Sequence, residues 1–544
     1  MCMSIVLLLA GCGPATEEPH PTPEDTTAVT ETSVTTESTG EPEADAPAET
    51  AVYYSAFGAK GDGKHDDLAA IAAAHAYANE RGLPVRAEEG AVYYIASIQT
   101  TVKIQTDTDW TGASFIIDDT GVGTKGSHRA HHVFEIAPSA APYDVKGITS
   151  ARRGQTKFDV QLPADSLVIL TDTGSKQYIR EGKNANDGSD KSDVMILHAD
   201  GTVEAGSELV WDFDNVTSAV AVPLEREVLT VRGGKFTTIA NVQDSSSYYN
   251  RGIHITRSGV VLDGIAHYVT GEGEKSAPYY GFLNLDECAN VTVKNCILTA
   301  RRKYSPGTYD IKMVRALNVT FENCIQSNDI LDTAYWGIML CHRTKNLTVR
   351  GCSFSRVDAH SGFFNVSILD STLGHQCLNA IGGGLLRIEN STLYGKAFIK
   401  LRSDYGSVWN GDVLIRNCTW IPDKGKTLSG RYALIDGSYS GFHDFGYECG
   451  MPRNIVIEGL FVDDSRAGAA YAGIDLLGNI IPQYTSENYE IKVREMGYPY
   501  RVTEQVSISG YTSASGKEWR LSPNSYMYRQ TNVTTQDIKS NTGD

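Results

Sequence analysis

The chain has 544 residues, with 66 Asp and Glu against 48 Lys and Arg and a net charge of −18. Ten of the acidic residues and none of the basic ones fall in residues 1–50, so this segment carries −10 and the rest −8. The basic stripe that a phosphate backbone requires is missing, which argues against a nucleic-acid partner.

In chain order, the first feature is an apolar run, Ser4-Ile-Val-Leu-Leu-Leu-Ala-Gly-Cys12. It is too short to span a bilayer. Its end, Leu9-Ala10-Gly11-Cys12, resembles the lipobox of bacterial lipoproteins. The resemblance implies a signal peptide over 1–12 and lipidation of Cys12. It also implies an extracytoplasmic location in the bacterial cell envelope, with the lipid as the only membrane attachment. Residues 13–50 are dominated by Thr, Glu, Pro and Ala. Such a composition cannot bury enough surface to fold, and extended it reaches on the order of 100 Å. It reads as a tether.

Residues 51–149 are expected to hold a cap and the first coils of a repeat-built body. Phe57-Gly-Ala-Lys-Gly-Asp-Gly-Lys-His-Asp-Asp67 is followed by apolar residues at helical spacing, Leu68, Ile71, Ala74 and Tyr77. Asp66 is the expected N-cap. This stretch resembles the opening motif of the pectate-lyase-like superfamily, which implies a right-handed parallel β-helix with a helix closing its first coil. Residues 150–225 break the pattern. Leu167–Leu170 and Glu208–Trp211 read as strands around a polar stretch, 182–193, and so as an inserted β-rich subdomain.

The main solenoid is expected over 226–530, and here a seven-residue phrase recurs. It reads Asn290-Val-Thr-Val-Lys-Asn-Cys296, Asn318-Val-Thr-Phe-Glu-Asn-Cys324 and Asn346-Leu-Thr-Val-Arg-Gly-Cys352, with weaker copies ending at Ser371, Ser391 and Cys418. The spacings are 28, 28, 19, 20 and 27 residues. A unit of this length cannot bury its own apolar face and must stack on its copies. Apolar residues at the second and fourth positions mark a strand with one buried face. The sixth position is always Asn, Asp or Gly, the residues that tolerate a left-handed bend. The seventh starts a new strand with a small inward Cys or Ser. The fold class is therefore all-β, a right-handed parallel β-helix with an N-terminal capping helix. The cysteines form an inward thiol ladder rather than disulfides, because stacked Cβ atoms sit about 4.8 Å apart. No CxxC or HExxH spacing occurs, so no metal site is expected. Residues 531–544 read as a polar end.

The unusual residues lie past each phrase, in the loop that leads to the third strand of the coil. They are Asp329, Asp332, Tyr335 and Trp336, then Asp358 and His360, then His375, then Lys400, Arg402 and Asp404. Asp329, Asp358 and His375 sit five, six and four residues past their seventh positions, so successive coils bring them to one face. The layout resembles the polygalacturonase-type glycoside hydrolases. The like-placed stretches here are Asn328-Asp329, Asp358-Ala-His360, Gly374-His375-Gln376 and Phe398-Ile399-Lys400. Order and offsets match while the motifs diverge, and the family's Arg has moved to Arg402. The resemblance implies cleavage of a polysaccharide by paired carboxylates, Asp358 with Asp332 or Asp329, with His360 tuning them. His375, Lys400, Arg402, Asp404, Tyr335 and Trp336 would hold the sugar. No cofactor is expected for a hydrolase. A polysaccharide lyase, with Ca²⁺ as a possible cofactor, and a non-catalytic glycan-binding solenoid are the alternatives.

Overall fold

Each copy of the phrase builds one coil. We describe residues 50–123, 131–302, 307–478 and 487–536 in a computed structural model of the chain. The signal segment with Cys12, and the linker to residue 49, lie outside them. The second positions Val260, Val291, Val319, Leu347, Val366, Leu386 and Val413 stand in register on neighbouring parallel strands, all buried. Burying each contributes about 1.5–3 kcal/mol. A coil has three faces, as in Ala289–Lys294, Ile297–Leu298 and Tyr309–Val314. Parallel stacking of such coils makes the chain a right-handed parallel β-helix.

Two residues of the phrase bend the backbone. The sixth positions Asn295, Asn323, Gly351, Asp370, Asn390 and Asn417 have φ between 49° and 61°. The first positions Asn290, Asn318, Asn346 and Asn365 have φ between 54° and 57°. Side-chain amides of these first positions also bond from coil to coil. Asn318 Nδ2 donates to Asn290 Oδ1 at 2.9 Å, and Asn346 Nδ2 to Asn318 Oδ1 at 2.7 Å. The seventh position has its own rule. Its thiol or hydroxyl donates to the carbonyl two residues back, as Cys352 does to Arg350 (3.2 Å) and Ser371 to Leu369 (2.7 Å). It also accepts an N–H from the preceding coil: Cys324 N to Cys352 Sγ, Cys352 N to Ser371 Oγ, Ser371 N to Ser391 Oγ. Cys and Ser alternate there because both carry one donor and one acceptor on a single carbon. The cysteines among the described residues are all free thiols.

The helix Leu68–Arg81 buries Leu68, Ile71, Ala74 and Ala78 in the common core. Its boundary residue is Asp67 rather than the expected Asp66. Asp67 turns its carboxylate back onto the amides of Lys60 and Gly61, at 2.6 and 3.1 Å, while Asp66 accepts from Leu68 N and Ser97. The break in the pattern is an antiparallel sheet of Tyr143–Asp144, Ser166–Gln177, Ser189–Leu197 and Ser218–Pro223. One face covers its own core of Phe158, Val168, Met195 and Phe213; the other lays Leu167, Val194 and Ile196 on Ala289 and Leu317 of the solenoid. The chain resumes where it left off, with Phe134–Ile136 paired in register to Ile253–Ile255. At the polar C-terminal end, Asn532–Gln536 adds a parallel strand beside Gln505–Ser513, because Val533 continues the apolar row.

The left-handed asparagines allow a direct test. Replacing Asn318 by Ala forces a Cβ-bearing residue without amide compensation into φ > 0 and cuts two ladder bonds. It should cost about 2–3 kcal/mol, whereas Asn318→Gly should cost about 1 kcal/mol because only the bonds are lost. Urea unfolding midpoints of the two variants measure the difference.

Candidate functional site

Strand register on the third face sets outward side chains in rows. One row runs Asp358, Asn379, Lys400, Asp436 across four successive coils. Beside it, the loops leading into these strands wall off a groove of about 840 Å³. Asp329, Trp336, Arg356, His375, Lys400 and Asp436 line it, together with Lys396, Asp423, Lys424 and Lys426. The loop carrying Asp329 folds forward along the solenoid and is pinned there. Ile330 O accepts from the backbone N of His375 at 3.0 Å, and His375 Nδ1 lies 3.1 Å from the same oxygen. Asp329 is exposed, with Oδ1 accepting from Leu331 N at 2.9 Å. Five cations face three carboxylates, so the groove is electropositive although the chain is acidic.

Asp436 is the unusual carboxyl of the groove. Burial pushes its pKa above the usual range, and the charge of Lys400 and the Gly437 amide offset this only in part. Asp423, by contrast, is held by Lys426 at 3.3 Å.

The remaining expected residues separate from the groove. Asp358 is fully buried. Its Oδ1 lies 2.7 Å from Arg356 Nη2 and its Oδ2 lies 3.6 Å from Arg402 Nη1. Arg402 is in turn bidentate to Asp404 at 3.1 and 2.8 Å, and Arg180 of the inserted sheet reaches Asp404 at 2.6 Å. The result is an alternating chain, Arg356–Asp358–Arg402–Asp404–Arg180. In this arrangement Asp358 faces arginines rather than the groove, and its role is to position Arg356, which does line it. Burial first, and then the charges of Arg402, Arg180 and Arg356, lower the His360 pKa to about 3, so its ring is neutral at neutral pH. Asp332 is an exposed turn residue that accepts from Ala334 N at 2.8 Å, and Tyr335 packs partly on the core. Of the ten expected site residues outside the N-terminal segment, the groove gathers Asp329, Trp336, His375 and Lys400. Arg356, Asp423 and Asp436 went unread in the sequence. Only the in-register offset of Asp436 from Lys400 could have flagged it, because it lies 18 residues past Cys418, the end of the last copy of the phrase.

Among the described residues, no group of three or more His, Cys, Asp or Glu side chains is placed to hold a metal ion. Asp193 of the polar stretch is instead buried against Lys345 at 3.2 Å, and Asp190 pairs with Lys176.

No family model matches the chain. Over 267 residues it is 22% identical to the capsule KL64-specific depolymerase of Klebsiella phage P510, a match that takes in 41% of this chain and 25% of that protein. The chain thus spans about a quarter of that relative. Among solved structures, the tailspike gp61 of Pseudomonas phage phi297 is similar with a TM-score of 0.55 and 14% identity, over 89% of this chain and 84% of that one. The tailspike gp49 of Pseudomonas phage LKA1 follows with 0.50 and 15%, over 85% and 81%. At these identities the likeness is one of fold.

Asp358→Ala leaves Arg356 buried without its counter-charge and takes one of two carboxylates from Arg402. It should destabilise the protein by about 3–5 kcal/mol, seen as a lower urea midpoint at unchanged slope. Asp332→Ala, in an exposed turn, should shift stability by less than about 1 kcal/mol.

Proposed function

We propose that the protein is a glycoside hydrolase that cleaves an acidic, uronate-containing polysaccharide in the cation-lined groove. The observation that carries this reading is the Asp436 carboxyl, its pKa raised by burial, in a groove lined by five cations. Lys396, Lys400, Lys424 and Lys426 supply the counter-charge for carboxylated sugars, while Arg356 is held by Asp358 and Gln376 at their edge. Trp336 adds an aromatic edge. The likeness to a capsule depolymerase supports a polysaccharide as the substrate class.

In the hydrolytic step Asp436 gives its proton to the leaving glycosidic oxygen. Asp329, exposed on the facing loop, supplies the second carboxylate that the chemistry needs. The same cations also favour the lyase reading, in which they would stabilise the enolate formed when a base removes the proton beside a uronate carboxyl. The two chemistries differ in product, since only a lyase makes an unsaturated sugar.

The test follows new reducing ends and the ultraviolet absorbance of unsaturated sugars together, over a panel of pectic, host and microbial uronate polysaccharides. Reducing ends are expected to rise alone; a parallel rise in absorbance would make the protein a lyase. Asp436→Asn should lower kcat by about 10²-fold or more. Lys400→Met should move the alkaline limb of the kcat/KM profile to higher pH. The sign follows from charge: Lys400 stabilises the ionised carboxylate, so removing it raises the pKa further and keeps the acid protonated longer. An alkaline limb that stays in place would remove Asp436 from the role of proton donor.

A further inference from the structure

The third face carries a second groove, toward the N-terminal end of the solenoid, that the reading above does not use. Two cavities of about 680 and 720 Å³ share one wall, formed by Glu135, His254, Asp286 and Lys312. Register makes this wall. Glu135 pairs with His254, His254 with Asn284, and Asn284 with Lys312, one coil apart each time. Asp286 stands two residues beyond Asn284 on the same face.

The side chains are organised around Asp286. His254 Nε2 donates to its Oδ2 at 3.1 Å, and Lys312 Nζ to both oxygens at 3.2 and 3.4 Å. His132 stacks on the His254 ring at a centroid distance of 4.3 Å and fixes its plane. Burial pushes the Asp286 pKa up, but the His254 hydrogen bond and the Lys312 charge outweigh it, and the net shift is downward. Glu135 stands in register with Lys103 on the coil before it and lies two coils and two residues from Asp286, roughly 12 Å between backbone positions, which the Glu side chain can shorten. That separation, with water between, falls nearer the wide spacing of inverting pairs, about 6.5–9.5 Å, than the ~5 Å of retaining ones. Tyr248 and Tyr280, with centroids 4.8 Å apart, form an aromatic floor of the same groove.

Charge separates this groove from the first. Its charges balance: Lys312 and Arg315 are paired with Asp286 and Glu287, and Lys103 stands in register beside Glu135. Aromatic faces with no surplus of cations suit an uncharged pyranose chain.

We propose that this groove is a second saccharide site that hydrolyses neutral glycans, with Glu135 as general acid and Asp286 as general base. Asp286 takes a proton from water, the water oxygen bonds to the anomeric carbon as the glycosidic bond breaks, and Glu135 protonates the departing oxygen. The inference stands apart from the cation-lined groove and does not depend on it.

The experiment incubates the purified full chain with end-labelled neutral hexasaccharides of glucose, mannose, galactose and N-acetylglucosamine. Cleavage is read by chromatography and binding by calorimetry. At least one series should be cut. Asp286→Asn and Glu135→Gln should each lower kcat by about 10²-fold or more with KM little changed. Tyr280→Ala, which leaves both carboxylates in place, should weaken binding about tenfold, or 1.4 kcal/mol. The proposal is overturned if no neutral series is bound or cut. It is equally overturned if neutral cleavage follows Asp436→Asn rather than Asp286→Asn, or if Tyr280→Ala leaves affinity unchanged. Failure of the acidic-substrate reading would show on the uronate panel alone, so the two outcomes are separable.

Discussion

Everything on the third face depends on a backbone bend made by a single residue. Where φ turns positive at Asn295, Asn323 or Asn417, the strand changes direction without a loop, so every coil turns at the same point although its length varies from 19 to 28 residues. A shared turning point keeps neighbouring coils in register, and register converts separation in sequence into rows about 4.8 Å per step. An L-residue other than Asn, Asp or Gly at that position would carry about 1–2 kcal/mol of strain per coil. Repeated along the solenoid, that would rival the whole stability of an ordinary domain. Asparagines at this position meet the constraint and some also tie coils together, Asn295 Nδ2 donating to Asp263 Oδ1 and Asn390 Nδ2 to Asp370 Oδ1.

Given the rows, chemistry is a matter of what surrounds them. The same face presents three electrostatic settings. Cations dominate around Lys400, an alternating ion-pair chain fills the middle from Arg356 to Arg180, and carboxylates with imidazoles dominate around His254. Identical backbone geometry thus carries opposite electrostatic settings. The middle setting is closed because the inserted sheet reaches over it: Tyr178 lies against Gly362, where no Cβ intervenes, and Arg180 seals Asp404.

The fold was legible because it is written locally. Alternation, a bend residue and a small hydrogen-bonding residue occur within seven positions, and each has one structural meaning. The site was legible only where local offsets suffice. Counting from the seventh position brought Asp329, His375 and Lys400 to one groove, since each sits on or next to a regular coil. The same count failed for Asp358 because its surroundings come from elsewhere, from Arg402 two coils on and from the insertion, both of which act to bury it. Asp436 was invisible for the complementary reason: its pKa is set by burial, which no spacing reports. The groove around His254 and Asp286 was hidden by the insertion itself. Glu135 and His254 are neighbours in space but 119 residues apart, so no repeat count connects them.

That insertion also changes how the solenoid holds together. A stack in which each coil touches only its neighbours should fray from its ends one coil at a time. Here the arm that leaves beside Glu135 is fastened to distant coils, through Arg180 to Asp404, Glu181 N to Asp404 O and Ile179 N to Phe445 O. It acts as a strut laid across the stack. Coils beneath the strut cannot part without first releasing it, so they open as a block, while those beyond Cys449 remain free to breathe singly. Both grooves fall within the block.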